Sequence, residues 1–374
     1  MSVTIGVLAE TAPGETRVAL IPEVASRLKS QGATLVMQSG AGVSAHFPDS
    51  AYKDVEFAQP ADILARSDVL LKVQPPTLDE VAALRAGAVV VGYMQAYARA
   101  DLVRALRDRR LTSFSMELIP RISRAQSMDA LSSQAAVAGY KAVLIAASTL
   151  EKFMPMLTTA AGTIRPATVL VIGAGVAGLQ AIATAKRLGA VVEAYDVRSA
   201  TRDQVKSLGA KFVDTGVSAD GAGGYARELT EEEKARQQAV LDARIAASDV
   251  VITTAAVPGR AAPRIVGEAA VARMKPGSVI VDIAAEQGGN CALTRAGETV
   301  VHGGVKIVGP VNLPATLPFH ASEMYSRNLL NLLKPALANG ELKIDWTDEV
   351  FAGAVLTHDG QIKHEATRKL VEGQ

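Results

Sequence analysis

The stretch "VLVIGAGVAGLQAIATAKRLGA" constrains this chain more than any other. Its mostly apolar run, Ala167 to Ala185, is nearly long enough to span a bilayer, but "GAGVAG" and Gln180 interrupt it. Strand, turn and helix explain it better. Gly173, Gly175 and Gly178 form G-x-G-x-x-G directly after the strand and at the opening of the helix. Gly173 permits the tight turn, Gly175 lets backbone approach a pyrophosphate, and Gly178 permits close helix packing. A glycine turn alone can be purely structural. Here the next strand, "VVEAYD", ends in Asp196, 18 residues beyond Gly178, where an acidic side chain accepts hydrogen bonds from adenosine ribose hydroxyls. The expectation is dinucleotide binding. The Asp196 charge would repel a 2′-phosphate, which favours NAD(H) over its phosphorylated counterpart. Arg198 lies two residues on, either as a receiver of such a phosphate or as a solvent-facing partner of Asp196.

Short Val/Ile/Leu runs alternate with helical patterns along most of the chain, the order expected of βαβ units around buried parallel strands. One series comprises "VTIGVLAE", "TLVMQSG", "DVLLKV", "AVVVGYM" and "LTSFSMEL"; a second comprises "TVLVIG", "VVEAYD", "KFVDTG", "DVVITTA", "GSVIVDI" and "VKIVGP". Between them "AAVAGYKAVLIAASTLEKF" reads as a long, buried helix joining two domains. The tail after Pro310 has no parallel series of its own and is expected to pack on the first domain. The predicted fold is therefore α/β, with two Rossmann-like doubly wound parallel sheets and a cleft between them. Its domains would be residues 1–134 with 311–374, and 135–310.

The 374 residues carry 39 basic and 38 acidic side chains, so no overall field draws the chain to nucleic acid or lipid. Cys291 is the only cysteine, which excludes an internal disulfide and a multi-cysteine metal site. The opening "MSVTIGVLAETAPGETR" has no secretory pattern, and no stretch is read as inserting in a membrane, so a cytoplasmic location is expected. None of the five histidines, His46, His302, His320, His358 and His364, falls at the carboxyl end of a strand in the second series. His302 reads as a turn residue and His358 as a hairpin tip. Hydride exchange between two nicotinamides involves no proton transfer to substrate, so such chemistry needs no conventional acid or base.

One polar cluster stands out. "PRISRAQSMDALSSQ", residues 120–134, holds two arginines, an aspartate and four serines between apolar stretches. Gln126 can hold a carboxamide through a paired donor and acceptor, and Asp129 and Ser132 are spaced to share the first turn of a helix. The other reading has Asp129 as a helix N-cap with the arginines as its ion-pair partners. The residues alone leave both open.

"MELIPRISRAQSMDALSSQAAVAGYKAV", "TTAAGTIRPATVLVIGAGVAGLQAIATAKRLGA" and "MKPGSVIVDIAAEQGGNC" closely resemble the NAD(H)-binding alpha-subunit component of proton-translocating NAD(P) transhydrogenases, within the alanine dehydrogenase/transhydrogenase family. The resemblance runs from "GETRVALIPEV" to "RNLLNLL". It implies direct, Si-specific hydride transfer from NADH on this chain to NADP⁺ on a partner, coupled to proton translocation and active only with partner components. Those partners would be an NADP(H)-binding component and a membrane proton-channel component. The resemblance also implies a homodimer attached peripherally to the inner membrane, either a separate subunit or an excised domain.

It places Arg121, Gln126, Asp129 and Ser132 at the reacting nicotinamide, with Ile122, Ser123, Arg124, Ser127 and Met128 on the same cofactor surface. Asp196, Val197 and Arg198 match the ribose segment, Val176 falls in the glycine turn, and Gly224 and Tyr225 match a mobile loop that closes over nucleotide. "VITTAAVPG", Val251 to Gly259, would line the adenosine pocket or form its turn. The alternative is an alanine dehydrogenase, whose substrate-binding arginine and lysine Arg17 and Lys72 resemble. That enzyme's catalytic histidine is replaced here by Gln95, and its aspartate before "QGG" by Glu286. A non-catalytic NAD sensor is a third possibility.

Overall fold

A computed structural model describes residues 2–217, 229–256 and 259–373. The chain divides into two units, Met1–Gln134 with Ala315–Gln374, and Ala135–Pro314.

In the first unit an eight-stranded sheet runs in the order Gln361–Ile362, Val355–His358, Thr112–Ser115, Val89–Gly92, Val69–Leu71, Thr4–Val7, Thr34–Gln38, Glu56–Ala58. The last six are mutually parallel. Numbered along the chain they follow the doubly wound order 3-2-1-4-5-6 read from the far edge. Val355–His358 adds antiparallel to Thr112–Ser115, and Gln361–Ile362 adds antiparallel to Val355–His358 as a terminal hairpin. Central strands such as Val89–Gly92 are buried throughout, because helices cover both faces of the sheet and neither alternate set of side chains meets water. One face packs Ile5, Val7, Leu35, Val69 and Val91, and the other Val36, Leu70 and Val90. Helix starts are fixed locally: Pro22 occupies the first turn of Pro22–Ser30, and Thr77 with Glu80 forms a reciprocal capping box on Leu78–Ala83.

The second unit repeats the plan. Its seven-stranded sheet runs Lys211–Phe212, Val191–Tyr195, Thr168–Ile172, Val250–Thr253, Val279–Asp282, Val305–Val308, Thr299–His302. All neighbours are parallel except the last pair. His302 thus ends an antiparallel strand rather than standing in a turn, and lies at the edge opposite the carboxyl ends of the parallel strands. Both series of expected strands are present. Among the strands that sequence periodicity overlooked, Glu56–Ala58, Thr299–His302 and Gln361–Ile362 are short or lie at sheet margins, where exposed polar residues dilute the apolar signal, whereas the buried Val355–His358 runs on directly from helix Glu349–Ala354.

The long apolar helix is Ala130–Thr149. Among the described residues it is the one helix long and apolar enough, by length and composition, to cross a membrane. Its Ala138, Ala142, Val143 and Ala146 instead fill the second unit's core beside Val169, Val171 and Ile182. Core helices and spanning helices share this composition.

Glycine is required where strand Thr168–Ile172 turns into helix Val176–Arg187. Gly173 has φ +99°, a conformation L side chains rarely adopt, and a Cβ at Gly178 would lie 1.8 Å from the Gly173 carbonyl oxygen. Gly175 is different, since a Cβ there meets nothing within 4 Å. Gly178→Ala is therefore expected to destabilise the second unit by about 2–3 kcal/mol through backbone overpacking, read as a lowered thermal midpoint. Gly175→Ala should leave that midpoint close to the parent's. Equal midpoints for both variants would show that the turn tolerates the clash.

Candidate functional site

The site begins at the carboxyl end of the second sheet. Gly173 N–H donates to the Tyr195 carbonyl at 2.7 Å, so the turn and the neighbouring strand end are tied together. Helix Val176–Arg187 then starts at Gly175 without a side-chain cap. First-turn N–H groups have no intrahelical acceptors, which makes this end of the helix electropositive. Val176 is exposed there and Gly175 leaves open space above the backbone.

Asp196 follows strand Val191–Tyr195 and is only 7% exposed. Its Oδ2 accepts from the Ala174 N–H inside the glycine turn at 2.7 Å and from Arg198 Nη2 at 2.7 Å. Its Oδ1 accepts from the Arg198 backbone N–H at 2.9 Å and from Arg198 Nε at 2.8 Å. Burial alone would raise the carboxyl, but the Arg198 and Ala174 hydrogen bonds outweigh it and hold Asp196 below the ordinary carboxylate range. It is an anion at neutral pH. Arg198 pairs with Asp196 in this structure. Beside Asp196 a cavity of about 230 Å³ is lined by Tyr195, Val197, Arg202, Phe212, Asp214 and Thr215. The Tyr195 hydroxyl and Thr215 Oγ1 are both buried and face each other closely enough to interact. This cavity lies at the ends of strands Val191–Tyr195 and Lys211–Phe212; sequence reasoning named its Asp196 and Val197 but not the part that Phe212, Asp214 and Thr215 contribute. The only available signal was the polar "DTG" directly after an apolar strand.

On the other side of the turn, Asn290 Oδ1 accepts from Ala255 N–H at 3.0 Å, and its Nδ2 donates to Ala255 and Pro263 carbonyls at 2.7 and 2.8 Å. This buried amide holds the segment after strand Val250–Thr253 in place. Asp282, fully buried, accepts from Thr253, Ala284, Cys291 and Thr294 and is a structural anchor. Gly224 and Tyr225 lie outside the described residues.

In the first unit, Ser123–Met128 forms a 3-10 helix that buries Ala125 and Met128 and leaves Arg121, Ser123, Arg124, Gln126 and Ser127 exposed, with Ile122 half-buried. Asn328 and Asn331 Nδ2 donate to the Ser127 carbonyl at 2.9 and 3.0 Å, pinning the loop to helix Pro318–Leu333. Asp129 and Ser132 are brought together: Asp129 Oδ1 accepts from Ser132 N–H at 2.9 Å and Oδ2 from Ser132 Oγ at 2.6 Å. That is the N-cap geometry of helix Ala130–Thr149. The expected ion-pair partner differs, because Arg124 makes a fork with Asp348 at 2.6 and 2.8 Å rather than with Asp129.

The same unit buries two cations. Arg17 grips Glu15 through Nε and Nη2 at 2.8 and 2.7 Å and donates Nη1 to Gln134 at 2.8 Å. Lys72 lies 3.3 Å from Glu10 and 3.2 Å from Glu80. Carboxylates of the chain itself therefore occupy both cations that resemble substrate ligands. Gln95 takes φ +48° and donates its backbone N–H to Glu117 at 2.8 Å. Burial pushes the Glu10 carboxyl up against the pull of Lys72. Burial would also raise Glu15, but the Arg17 fork outweighs it and brings that carboxyl from 4.5 down to about 2.

Two descriptions of one family match almost the whole chain: "Alanine dehydrogenase/PNT, N-terminal domain" over residues 6–138, and "Alanine dehydrogenase/PNT, C-terminal domain" over residues 142–365. The chain belongs to the alanine dehydrogenase/PNT family. It is 46% identical to the first part of NAD(P) transhydrogenase subunit alpha of Rhodospirillum rubrum, covering 97% of this chain and 98% of that one. To the alanine dehydrogenase of Halomonas elongata it is 30% identical, covering 94% and 92%. The crystal structure of transhydrogenase from Sinorhizobium meliloti superposes with a TM-score of 0.88 at 44% identity, covering 96% of this chain and 99% of that one. The two-domain Rossmann-like architecture agrees with this membership, and NAD(H) is the cofactor that these domains bind.

Glu15 supplies a pH test. Its folded-state carboxyl is lowered, so its contribution is present above pH 4.5 and is lost as pH falls toward about 2. The gap corresponds to about 3 kcal/mol. In urea unfolding, Glu15→Gln is expected to show a shallower loss of stability between pH 5 and pH 2.5 than the parent. Parallel slopes would mean that the Glu15–Arg17 fork contributes nothing to acid sensitivity.

Proposed function

We propose that this chain is the NAD(H)-binding component of a proton-translocating transhydrogenase. The observation that carries the reading is the Asp196 carboxylate, hydrogen-bonded into a glycine turn whose next open position is Gly175. The backbone from Gly175 to Ala177 would cradle the pyrophosphate at the helix N-terminus. Asp196 would accept hydrogen bonds from the adenosine ribose hydroxyls, Val197 would pack beside them, and the cavity beside Tyr195 and Phe212 would take the adenine ring. In the first unit the exposed Gln126 would hold the nicotinamide carboxamide, and Arg121 would stand beside it. Asp129 and Ser132, joined at the helix cap, would fix the position of that loop. Gly224 and Tyr225 would close over the nucleotide.

When bound, NADH supplies the hydride, which NADP⁺ on a partner component accepts while a membrane component translocates protons. The reaction needs the two nicotinamides within roughly 3 to 3.5 Å in a water-poor site, and the acceptor carbon receives a hydride with no separate proton transfer. The presence of Gln95 in place of a histidine suits that chemistry. The chain would act as a homodimer in the cytoplasm, held at the inner membrane by its partner subunits. The retained Arg17 and Lys72 favour alanine dehydrogenase as the second reading, but both are engaged by internal carboxylates.

NADH fluorescence separates the readings. With pyruvate and ammonium present, the pure chain should give an immediate rise that then holds level, and NADH should be consumed only after an NADP⁺-loaded partner is added. Steady decay without the partner would make the chain an amino-acid dehydrogenase, and no decay with it would leave a sensor. Within that assay Gln126→Asn should slow hydride transfer at least tenfold while NADH affinity stays within a few-fold. An unaltered rate would return residues 120–134 to helix capping alone.

A further inference from the structure

We propose that Arg198 is an internal competitor for the nucleotide, occupying the acceptor positions on Asp196 that the ribose hydroxyls must take. The inference rests on the assignment of Asp196 to the ribose. An ionised carboxylate offers about four lone-pair positions. Four donors fill them: the Ala174 and Arg198 backbone N–H groups, and Nε and Nη2 of the Arg198 guanidinium. The two backbone donors are fixed, because Ala174 belongs to the glycine turn and Arg198 N–H follows directly from the strand end. Neither can leave without unmaking the turn. The guanidinium donors sit on a rotatable side chain that is 25% exposed, against 6% for the carboxylate. A ribose diol therefore gains Asp196 only by displacing the guanidinium, one pair of charge-assisted hydrogen bonds replacing another.

Displacement has two consequences. NADH affinity is held down by the cost of breaking the two-pronged ion pair, which speeds release of spent nucleotide. The displaced guanidinium also remains beside the ribose, where a 2′-phosphate would meet a cation as well as the Asp196 anion. Asp196 therefore discriminates against phosphorylated nucleotide less sharply than its charge alone implies.

The test uses the full chain with NADH and NADPH as probes, by fluorescence titration or calorimetry. Arg198→Met should bind NADH about fivefold or more tightly than the parent and should raise the NADH/NADPH affinity ratio by more than that factor. Arg198→Lys keeps the charge but loses the planar fork, so it should fall between. Unfolding midpoints establish that each variant is folded; if Arg198→Met does not fold, Arg198→Lys alone must still bind NADH more tightly than the parent. Unchanged or weakened NADH binding in the folded variants would overturn the proposal, weakened binding meaning that the guanidinium serves the bound nucleotide. Adding Asp196→Asn to Arg198→Met should cost at least tenfold in NADH affinity. If it costs nothing, the ribose assignment fails; if it costs affinity while Arg198→Met alone gave no gain, only the competitor role fails.

Discussion

The hydrogen bond from the Ala174 N–H to the Asp196 carboxylate joins the two pieces on which the second unit's site depends. One piece is the turn after strand Thr168–Ile172; the other is the end of the parallel strand Val191–Tyr195. Parallel pairing sets those strand ends side by side, and the Gly173 N–H to Tyr195 carbonyl bond continues the ladder one step past the sheet. A buried carboxylate without partners would be costly, so Asp196 is kept charged by donors that also define the turn. The helix that starts at Gly175 is thereby aimed at the same spot as the carboxylate. Positive helix end and negative side chain are placed a short distance apart, the arrangement a dinucleotide's pyrophosphate and ribose require.

The first unit uses charge differently. Arg17, Lys72, Glu10, Glu15 and Glu80 form a buried ionic group in which each cation touches a carboxylate. Such groups add little net stability, since desolvation offsets much of the attraction, but removing one member leaves an uncompensated charge. They fix geometry more than they strengthen it. Tyr325, fully buried, donates to the Lys72 carbonyl at 2.8 Å, so helix Pro318–Leu333 is tied to the strand that leads into Lys72. From Ala315 onward, the tail that showed no parallel series of its own thus belongs to this unit.

Much of the fold was legible because the decisive strands are covered on both faces and read as unbroken Val, Ile and Leu. The marginal strands were not, since Thr299–His302 alternates exposed and half-buried positions and carries no continuous apolar run. The glycine turn and Asp196 were legible from spacing. The Phe212, Asp214 and Thr215 side of the cavity beside Asp196 was not, because that segment carries no motif of its own and only the sheet brings it next to Asp196. In residues 120–134 composition left two readings open. Asp129 now plainly caps a helix, while Gln126 stays exposed and available.

The doubly wound character of both units and the position of the phosphate-facing turn are written in the sequence. Both follow from local rules: apolar period, glycine spacing, and the reach of an acidic side chain at a strand end. Where a charge takes a distant partner, tertiary packing settled it. Arg124 goes to Asp348, 224 residues away, rather than to Asp129. Arg198 closes on Asp196, the partner that spacing offered, and Arg17 closes on Glu15, two residues back. Spacing along a chain shows what a side chain can reach, but the strongest carboxylate within reach depends on burial, and burial exists only after the sheets have assembled.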